Sequence, residues 1–175
     1  MLNNPFIHPL WGRSVLIIAM ICSFFYNIHG VPLFDLDEGA FSEATREMIA
    51  SGNYLSTYLN GEHRWDKPIF IYWFMALSGK LFGLSEWSMR LPSAIFSIGW
   101  AGVIFFFSRR LWGESVAFWA TFIMITALQI TIIAKAAIAD ALLNFCLAGA
   151  GLSIFFYYRE RTKFALYSTF VFMGL

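Results

Sequence analysis

Residues 35–68 read DLDEGAFSEATREMIASGNYLSTYLNGEHRWDKP and form a polar stretch between two long apolar runs. Seven of the 11 acidic residues of the chain lie in it. Charged side chains at the edge of a membrane cost free energy unless they face water, a partner or a substrate. We therefore expect this stretch to lie at a membrane surface and to carry the chemistry of the protein.

The composition of the chain indicates an integral membrane protein. The sequence is 59% hydrophobic and 13% charged, and its 175 residues include 20 Phe, 7 Trp and 7 Tyr. Such a composition is typical of helices that are dissolved in lipid. The two cysteines, Cys22 and Cys146, both fall inside apolar runs, so no disulfide, metal site or redox role is inferred from them.

The apolar runs are long enough to predict membrane spans near residues 14–34, 91–108, 115–135 and 140–158, because about 20 helical residues cross a bilayer. The first span is expected to be an uncleaved anchor, since the residues that follow it offer no small-residue cleavage site. A further apolar run begins at residues 164–175 and stops midway. The chain is therefore expected to be the N-terminal portion of one longer transmembrane domain.

Two juxtamembrane helices are predicted within and after the polar stretch. The first covers about residues 38–51, with Asp35 or Asp37 as its cap and Gly52 as its stop. An extended loop with a turn at Asn60-Gly61 follows, and a second helix covers about residues 68–84. The second helix is too short to span and contains Lys80, so we expect it to lie along the outer leaflet.

The basic residues agree with this topology. If the 68–84 helix does not cross, the basic residues at the span ends face the cytoplasm with only Glu114 and Glu160 as acidic neighbours. Those basic residues are Arg13, Arg109, Arg110, Arg159, Arg161 and Lys163. The polar stretch then lies on the extracytoplasmic face.

Three charged groups on that outer face are candidates for a functional site, because bundled helices can bring them together. They are Asp37 with Glu38, Asp66 with Lys67, and Lys135 with Asp140. Each also has a purely structural interpretation.

The structural alternatives are specific to each group. Asp35 and Glu38 have the spacing of a helix capping box, and acidic residues suit a first helical turn. Asp66 with Lys67 could anchor the chain at the interface, and Lys135 could simply neutralise Asp140. Arg90 is expected to be an anchor at a span end.

A series of motifs in this chain resembles the bacterial members of the protein O-mannosyltransferase superfamily. In order, they are Asp37-Glu38, Arg46-Glu47-Met48, Ser51-Gly52-Asn53-Tyr54, Leu59-Asn60-Gly61, Asp66-Lys67-Pro68 with Tyr72-Trp73, Leu81-Phe82-Gly83 and Arg90-Leu91-Pro92-Ser93-Ala94. The resemblance covers about residues 10–160. The group includes transferases that add aminoarabinose to lipid A; those commonly have Arg-Tyr in place of Ala40-Phe41, and Glu in place of Asp66.

The resemblance implies an all-α integral membrane fold of the GT-C type, a multi-span helical bundle with both juxtamembrane helices in its first extracytoplasmic loop. It implies a bacterial inner-membrane glycosyltransferase that moves a sugar, with inversion, from a polyprenyl-phosphate carrier such as undecaprenyl phosphate. The acceptor would be lipid A, another glycolipid or a protein on the extracytoplasmic face. No nucleic acid is an expected partner.

The site residues follow from the same resemblance. Asp37 corresponds to the catalytic or acceptor-orienting carboxylate, with Glu38 as its partner, and Lys67 corresponds to the lysine that holds the carrier phosphate. Lys135 is expected to assist in binding the phosphate. The residues expected to support the site are Asp140, Asp66 and Tyr72.

The chemistry of the side chains agrees with these roles. A lysine cation stabilises a leaving phosphate, and a carboxylate can take the proton from an acceptor hydroxyl. A divalent metal between a phosphate and Asp37 or Asp66 is compatible with this chemistry, although no residue spacing is that of a metal site. A multi-span transporter and a membrane assembly subunit are the alternative functions.

Overall fold

A computed structural model describes residues 9–30, 32–33, 37–65 and 67–174 of the chain. Within these residues the protein forms eight helices and one short β-hairpin. The helices are α1 (Pro9–Phe25), α2 (Asp37–Ser51), α3 (Phe70–Phe82), α4 (Glu86–Trp112), α5 (Glu114–Thr126), α6 (Leu128–Ala134), α7 (Asp140–Glu160) and α8 (Lys163–Gly174). The hairpin strands are β1 (Tyr58–Leu59) and β2 (Glu62–His63), paired antiparallel.

The helices confirm the expected all-α membrane fold. In the described part of the chain α4 and α7 are each long and apolar enough to cross a bilayer, and α5 with α6 adds a third span if the bent pair is taken as one. Helices α1 and α3 are apolar but shorter. The predicted number of four spans stays a prediction.

Helix α1 ends at Phe25, whereas the sequence predicts a span that continues to about residue 34. A turn follows the helix, in which Asn27 adopts a left-handed backbone with φ 58°. The N–H of Gly30 donates to the Asn27 carbonyl, and a Cβ on Gly30 would lie only 1.7 Å from Asn27 Oδ1. Asn and Gly are the residues that favour such turns, and here they outweigh the apolar character of the run.

Helix α4 contains Pro92 in its interior, six residues after its start. Proline has no N–H, so the carbonyl of Ser88, four residues earlier, lacks its usual helical partner. The hydroxyl of Ser78 on α3 donates to that carbonyl at 2.6 Å. The carbonyl of Ser88, which lacks a helical donor, therefore forms a hydrogen bond that links α4 to α3.

The run predicted as one span at 115–135 is broken. Helices α5 and α6 meet at Ala127, whose backbone is extended (φ −66°, ψ 129°), and their axes differ by 69°. The break frees the carbonyl of Ile125, which accepts a hydrogen bond from Ser23 Oγ on α1 at 2.6 Å. Serine hydroxyls commonly satisfy backbone groups freed by breaks at membrane depth.

The polar stretch folds back on itself through the Asn60-Gly61 turn. Asn60 and Gly61 both have positive φ, at 55° and 80°, which is the geometry of the tight turns that join antiparallel strands. The carboxylate of Glu47 on α2 accepts hydrogen bonds from the Asn60 and Gly61 amides at 2.6 and 3.2 Å. The hairpin is thereby attached to α2.

A buried apolar cluster joins α2 and α3 to the longer helices. Phe41 and Met48 of α2 pack with Tyr72 and Met75 of α3, and Leu142 of α7 belongs to the same cluster. A second cluster joins α1, α4, α5 and α6. Helices α2 and α3 are thus packed into the helical bundle through buried side chains.

The opposite end of the bundle is basic. Glu114 at the start of α5 pairs with Arg13 of α1 and Arg109 of α4, and Arg110 pairs with Glu160. These residues belong to the set expected at the cytoplasmic ends of the spans. The structure brings them to one end of the molecule, remote in the fold from α2 and the hairpin.

Candidate functional site

Asp37 is the first residue of α2, and its side chain is exposed. One helical turn later on the same face lies Phe41, because residues four apart in a helix are neighbours. Phe41 is buried and stacks on the ring of Tyr72, with the centroids 5.2 Å apart. Tyr72 itself is fully buried, so it supports Phe41 from α3.

Two cations also lie over the Phe41 ring. The Arg64 guanidinium carbon is 5.1 Å from the ring centroid and Lys67 Nζ is 6.0 Å from it, both within the usual range of cation–π contacts. Lys67 is exposed. Through this ring the structure brings Lys67 to the face of α2 on which Asp37 lies.

The hairpin is what returns these cations to α2. The Arg64 amide donates to the Thr57 carbonyl at 2.9 Å, and the Thr57 hydroxyl donates to the Arg64 carbonyl at 2.6 Å. These two bonds continue the hairpin ladder beyond β2. The chain is therefore held to the hairpin as far as Arg64, three residues before Lys67.

Glu38 faces the interior, unlike its neighbour Asp37. It is 2% exposed and forms a two-pronged ion pair with Arg90 of α4: Nε to Oε1 at 2.9 Å and Nη2 to Oε2 at 2.7 Å. Arg90 also donates to the carbonyls of Ile28 and Pro32, at 2.8 and 3.1 Å. The Glu38 carboxylate thus connects α2 to α4 in the interior of the protein. The resemblance instead implies that Glu38 acts in the reaction as the partner of Asp37.

The connection between α6 and α7 reaches the same buried pair. The amide of Ala137 donates to Glu38 Oε1 at 2.6 Å, and the hydroxyl of Ser93 on α4 donates to the Ile138 carbonyl at 3.2 Å. Lys135 caps α6, and Asp140 begins α7 with an exposed side chain. Three peptide units link Ala137 to Asp140, so their Cα atoms are at most about 11 Å apart.

The structure therefore brings the backbone of Ala137, which lies between Lys135 and Asp140 in the sequence, to Glu38 at the N-terminal end of α2, and it brings Lys67 Nζ to Phe41 on the same helix. Asp66 lies outside the described residues, as does Asp35. No cluster of three or more His, Cys, Asp or Glu side chains that could hold a metal occurs among residues 9–30, 32–33, 37–65 and 67–174.

Two residues at this site were not identified from the sequence. The sequence predicts Arg90 to be an anchor at a span end. However, an arginine within an apolar helix costs free energy unless it is paired, so its presence there indicates a buried acidic partner. Arg64 carried no signal beyond its charge. Its position over Phe41 depends on the hairpin register.

The sequence and the fold are both similar to those of known proteins. The sequence is similar to two undecaprenyl phosphate-alpha-4-amino-4-deoxy-L-arabinose arabinosyl transferases. The enzyme of Aeromonas hydrophila is 30% identical over 82% of this chain and 26% of the relative, and that of Aeromonas salmonicida is 32% identical over 79% and 26%. The fold is similar to the crystal structure of ArnT from Cupriavidus metallidurans bound to undecaprenyl phosphate, with a TM-score of 0.82 at 23% identity over 94% of this chain and 31% of that one.

The chain thus spans between a quarter and a third of the length of these relatives. The structural similarity confirms the GT-C type of multi-span membrane fold. The family of dolichyl-phosphate-mannose-protein mannosyltransferases matches residues 66–175, which is more than half of the chain. The protein belongs to this family.

Proposed function

We propose that the chain forms the N-terminal part of an inverting glycosyltransferase that uses a polyprenyl-phosphate-linked sugar as donor. The observation that carries the proposal is the position of Lys67 over Phe41, on the face of α2 that bears Asp37. A cation and a carboxylate near the same face of one helix supply the groups that this reaction requires. The names of the relatives support undecaprenyl phosphate as the carrier.

In the proposed reaction the acceptor oxygen attacks the anomeric carbon of the sugar. The bond from that carbon to the carrier phosphate breaks, and its electron pair stays on the phosphate oxygen. Lys67 stabilises the negative charge on the leaving phosphate, and Lys135 adds a second positive charge. Asp37 takes the proton of an acceptor hydroxyl, or orients an acceptor that is already ionised.

Asp140, the buried Tyr72 and Asp66, the residue before the lysine in the sequence, support the site. Asp140 begins α7 close to the segment that contacts Glu38, and Tyr72 holds Phe41 beneath the cations. The acceptor is a glycolipid such as lipid A or a protein, and the site faces the extracytoplasmic side of the bacterial inner membrane. The basic end of the bundle then faces the cytoplasm.

A transporter or an assembly subunit is less well supported. The charged groups collect at one end of the helices, whereas transporters bind substrates near the bilayer midplane between repeated halves. Family membership also favours the transferase.

The test uses the full-length protein in nanodiscs with a polyprenyl-phosphate sugar donor. Lys67→Ala should abolish transfer and weaken binding of the polyprenyl phosphate, while Lys67→Arg should retain part of both because it keeps the charge but not the shape. Lys80→Ala is the matched control, since Lys80 Nζ also lies over an aromatic ring, that of Tyr54, at 4.7 Å. Unchanged carrier binding by Lys67→Ala would exclude Lys67 from the site.

A further inference from the structure

The ion pair between Glu38 and Arg90 connects four separate parts of the chain. Its side chains are 2% and 4% exposed. Arg90 on α4 reaches the carbonyls of Ile28 and Pro32 after α1, and Glu38 on α2 accepts the amide of Ala137 between α6 and α7. Buried pairs of charges are tolerated only when hydrogen bonds satisfy both partners, and this pair meets that condition.

The carboxylate of Glu38 is occupied by the protein itself. Oε1 accepts from Arg90 Nε and from the Ala137 amide, and Oε2 accepts from Arg90 Nη2. A substrate would have to displace these donors in order to reach a side chain that is 2% exposed. Glu38 is therefore poorly placed to touch a sugar or a phosphate.

The neighbours of Glu38 and Ala137 in sequence are the candidate site residues. Asp37 immediately precedes Glu38, while Lys135 and Asp140 lie two residues before and three residues after Ala137. Glu38 Oε1 thus links two parts of the chain by accepting the Ala137 amide. One is the segment 135–140, which contains Lys135 and Asp140, and the other is α2, which begins with Asp37.

We propose that Glu38 and Arg90 are positioning residues that fix the distance between Asp37 and the segment 135–140. Glu38 contributes to the reaction without contacting the substrate, and Arg90 acts through Glu38 and through the carbonyls of Ile28 and Pro32. The expected loss of kcat rests on the proposed function. Its structural part, the dependence of the 135–140 segment on Arg90, can be measured without any reaction.

The kinetic test compares Glu38→Gln, Arg90→Gln and the double variant in the full-length protein. Each single change should lower kcat by about 10²-fold, because small displacements of catalytic groups have effects of this size. The double variant should be no slower than either single variant, since each change breaks the same connection. It also removes the unpaired buried charge that each single variant leaves, so it should fold even where a single variant does not.

The pH dependence separates positioning from catalysis. If Glu38 exchanged protons with the substrate, Glu38→Gln would remove one limb of the pH profile of kcat, whereas a positioning residue leaves the shape of the profile unchanged. Glu43→Gln is the matched control, because Glu43 is on the same helix and pairs with Arg46, but at the surface. It should leave kcat unchanged.

The test without a reaction is hydrogen exchange of the peptide that contains residues 135–140. Arg90→Gln should raise the exchange rate of this peptide by about tenfold or more, because Arg90 holds Glu38, whose carboxylate accepts the Ala137 amide. The control Glu43→Gln should leave the exchange rate unchanged. Exchange at the wild-type rate in Arg90→Gln would overturn the proposal, as would losses of kcat that multiply in the double variant. If the wild-type protein transfers no sugar, the proposed function fails, and the exchange result still decides whether the pair positions the segment.

Discussion

Phe41 is the residue on which the candidate site depends most directly. Its ring stacks on the buried Tyr72 and has the half-buried Arg64 and the exposed Lys67 as cation–π partners, so it belongs both to the core and to the candidate site. An aromatic ring suits this position because its faces carry negative potential while its body is apolar.

Phe41→Leu tests this role, because leucine keeps an apolar side chain but has no π face. A cation–π contact at an exposed site is worth about 0.5–1 kcal/mol, so carrier binding should weaken by roughly twofold to fivefold. The dissociation constant for the polyprenyl phosphate in nanodiscs measures this. Met48→Leu, in the same buried cluster but away from the cations, should leave the constant unchanged.

Asp37→Asn distinguishes a catalytic carboxylate from a helix cap. As a first-turn residue, asparagine loses only about 0.3–1 kcal/mol of interaction with the helix dipole, and turnover would stay near normal. If Asp37 is the base, kcat should fall by about 10²–10⁴-fold while the protein remains folded and binds its carrier. We expect the second result, measured with the native acceptor, and a wild-type rate in the folded variant would assign Asp37 to architecture.

The residues of the site differ in how far the sequence could predict them. The sequence marks Asp37 and Lys67 as candidates because charges are rare in this chain and each stands beside an apolar run. The partner of Glu38 was not, since Arg90 is 52 residues away and no local pattern connects them. A capping box explained Glu38 equally well from the sequence alone.

At the scale of the elements, the attachment of α3 to α4 follows from one proline. Pro92 leaves the Ser88 carbonyl without a helical donor, and the Ser78 hydroxyl replaces it. Sequence patterns predicted both helices, but the hydrogen bond between them depends on how the helices are packed.

Ser78→Ala should lower the free energy of unfolding by about 1–3 kcal/mol, because it leaves a buried carbonyl unsatisfied. In the background of Pro92→Ala the same change should cost much less, since an alanine N–H at position 92 can donate to the Ser88 carbonyl. Thermal unfolding of the four proteins in detergent gives the coupling. Equal costs of Ser78→Ala in both backgrounds would show that the hydroxyl does not replace the missing amide.

The break between α5 and α6 is a feature that the sequence does not predict. Ala127 is followed by Leu128 and Gln129, and none of the three is a helix breaker. The break is stabilised from outside, by the Ser23 hydroxyl on the Ile125 carbonyl. A contact between residues so far apart in the chain cannot be recognised from the sequence around Ala127.

At the scale of the whole molecule, charge divides the bundle into two ends. Ion pairs around Glu114 and Glu160 occupy one end, and the candidate site occupies the other. The general plan was predictable because hydropathy and the distribution of basic residues are properties of the sequence. The exact ends of the helices were not, as the turn after Phe25 illustrates.

The proposed orientation predicts which positions a membrane-impermeant thiol reagent can reach from the extracytoplasmic side. In a protein whose Cys22 and Cys146 are replaced by alanine, Glu62→Cys in the hairpin should react. Trp112→Cys at the end of α4 should react only after the membrane is permeabilised. The reverse pattern at both positions would contradict the topology.

In the proposed orientation, the bend at Ala127 also sets how far along the axis of α5 the candidate site lies. A straight helix over residues 114–134 would rise about 31 Å, whereas α5 rises about 20 Å and α6, inclined by 69°, adds about 4 Å along the same axis. Lys135 therefore stops about 7 Å short of the level that a straight helix would reach. A phosphate at that depth can be reached by a lipid whose prenyl tail remains in the hydrocarbon, whereas a water-soluble nucleotide sugar would have to leave the aqueous phase to meet it.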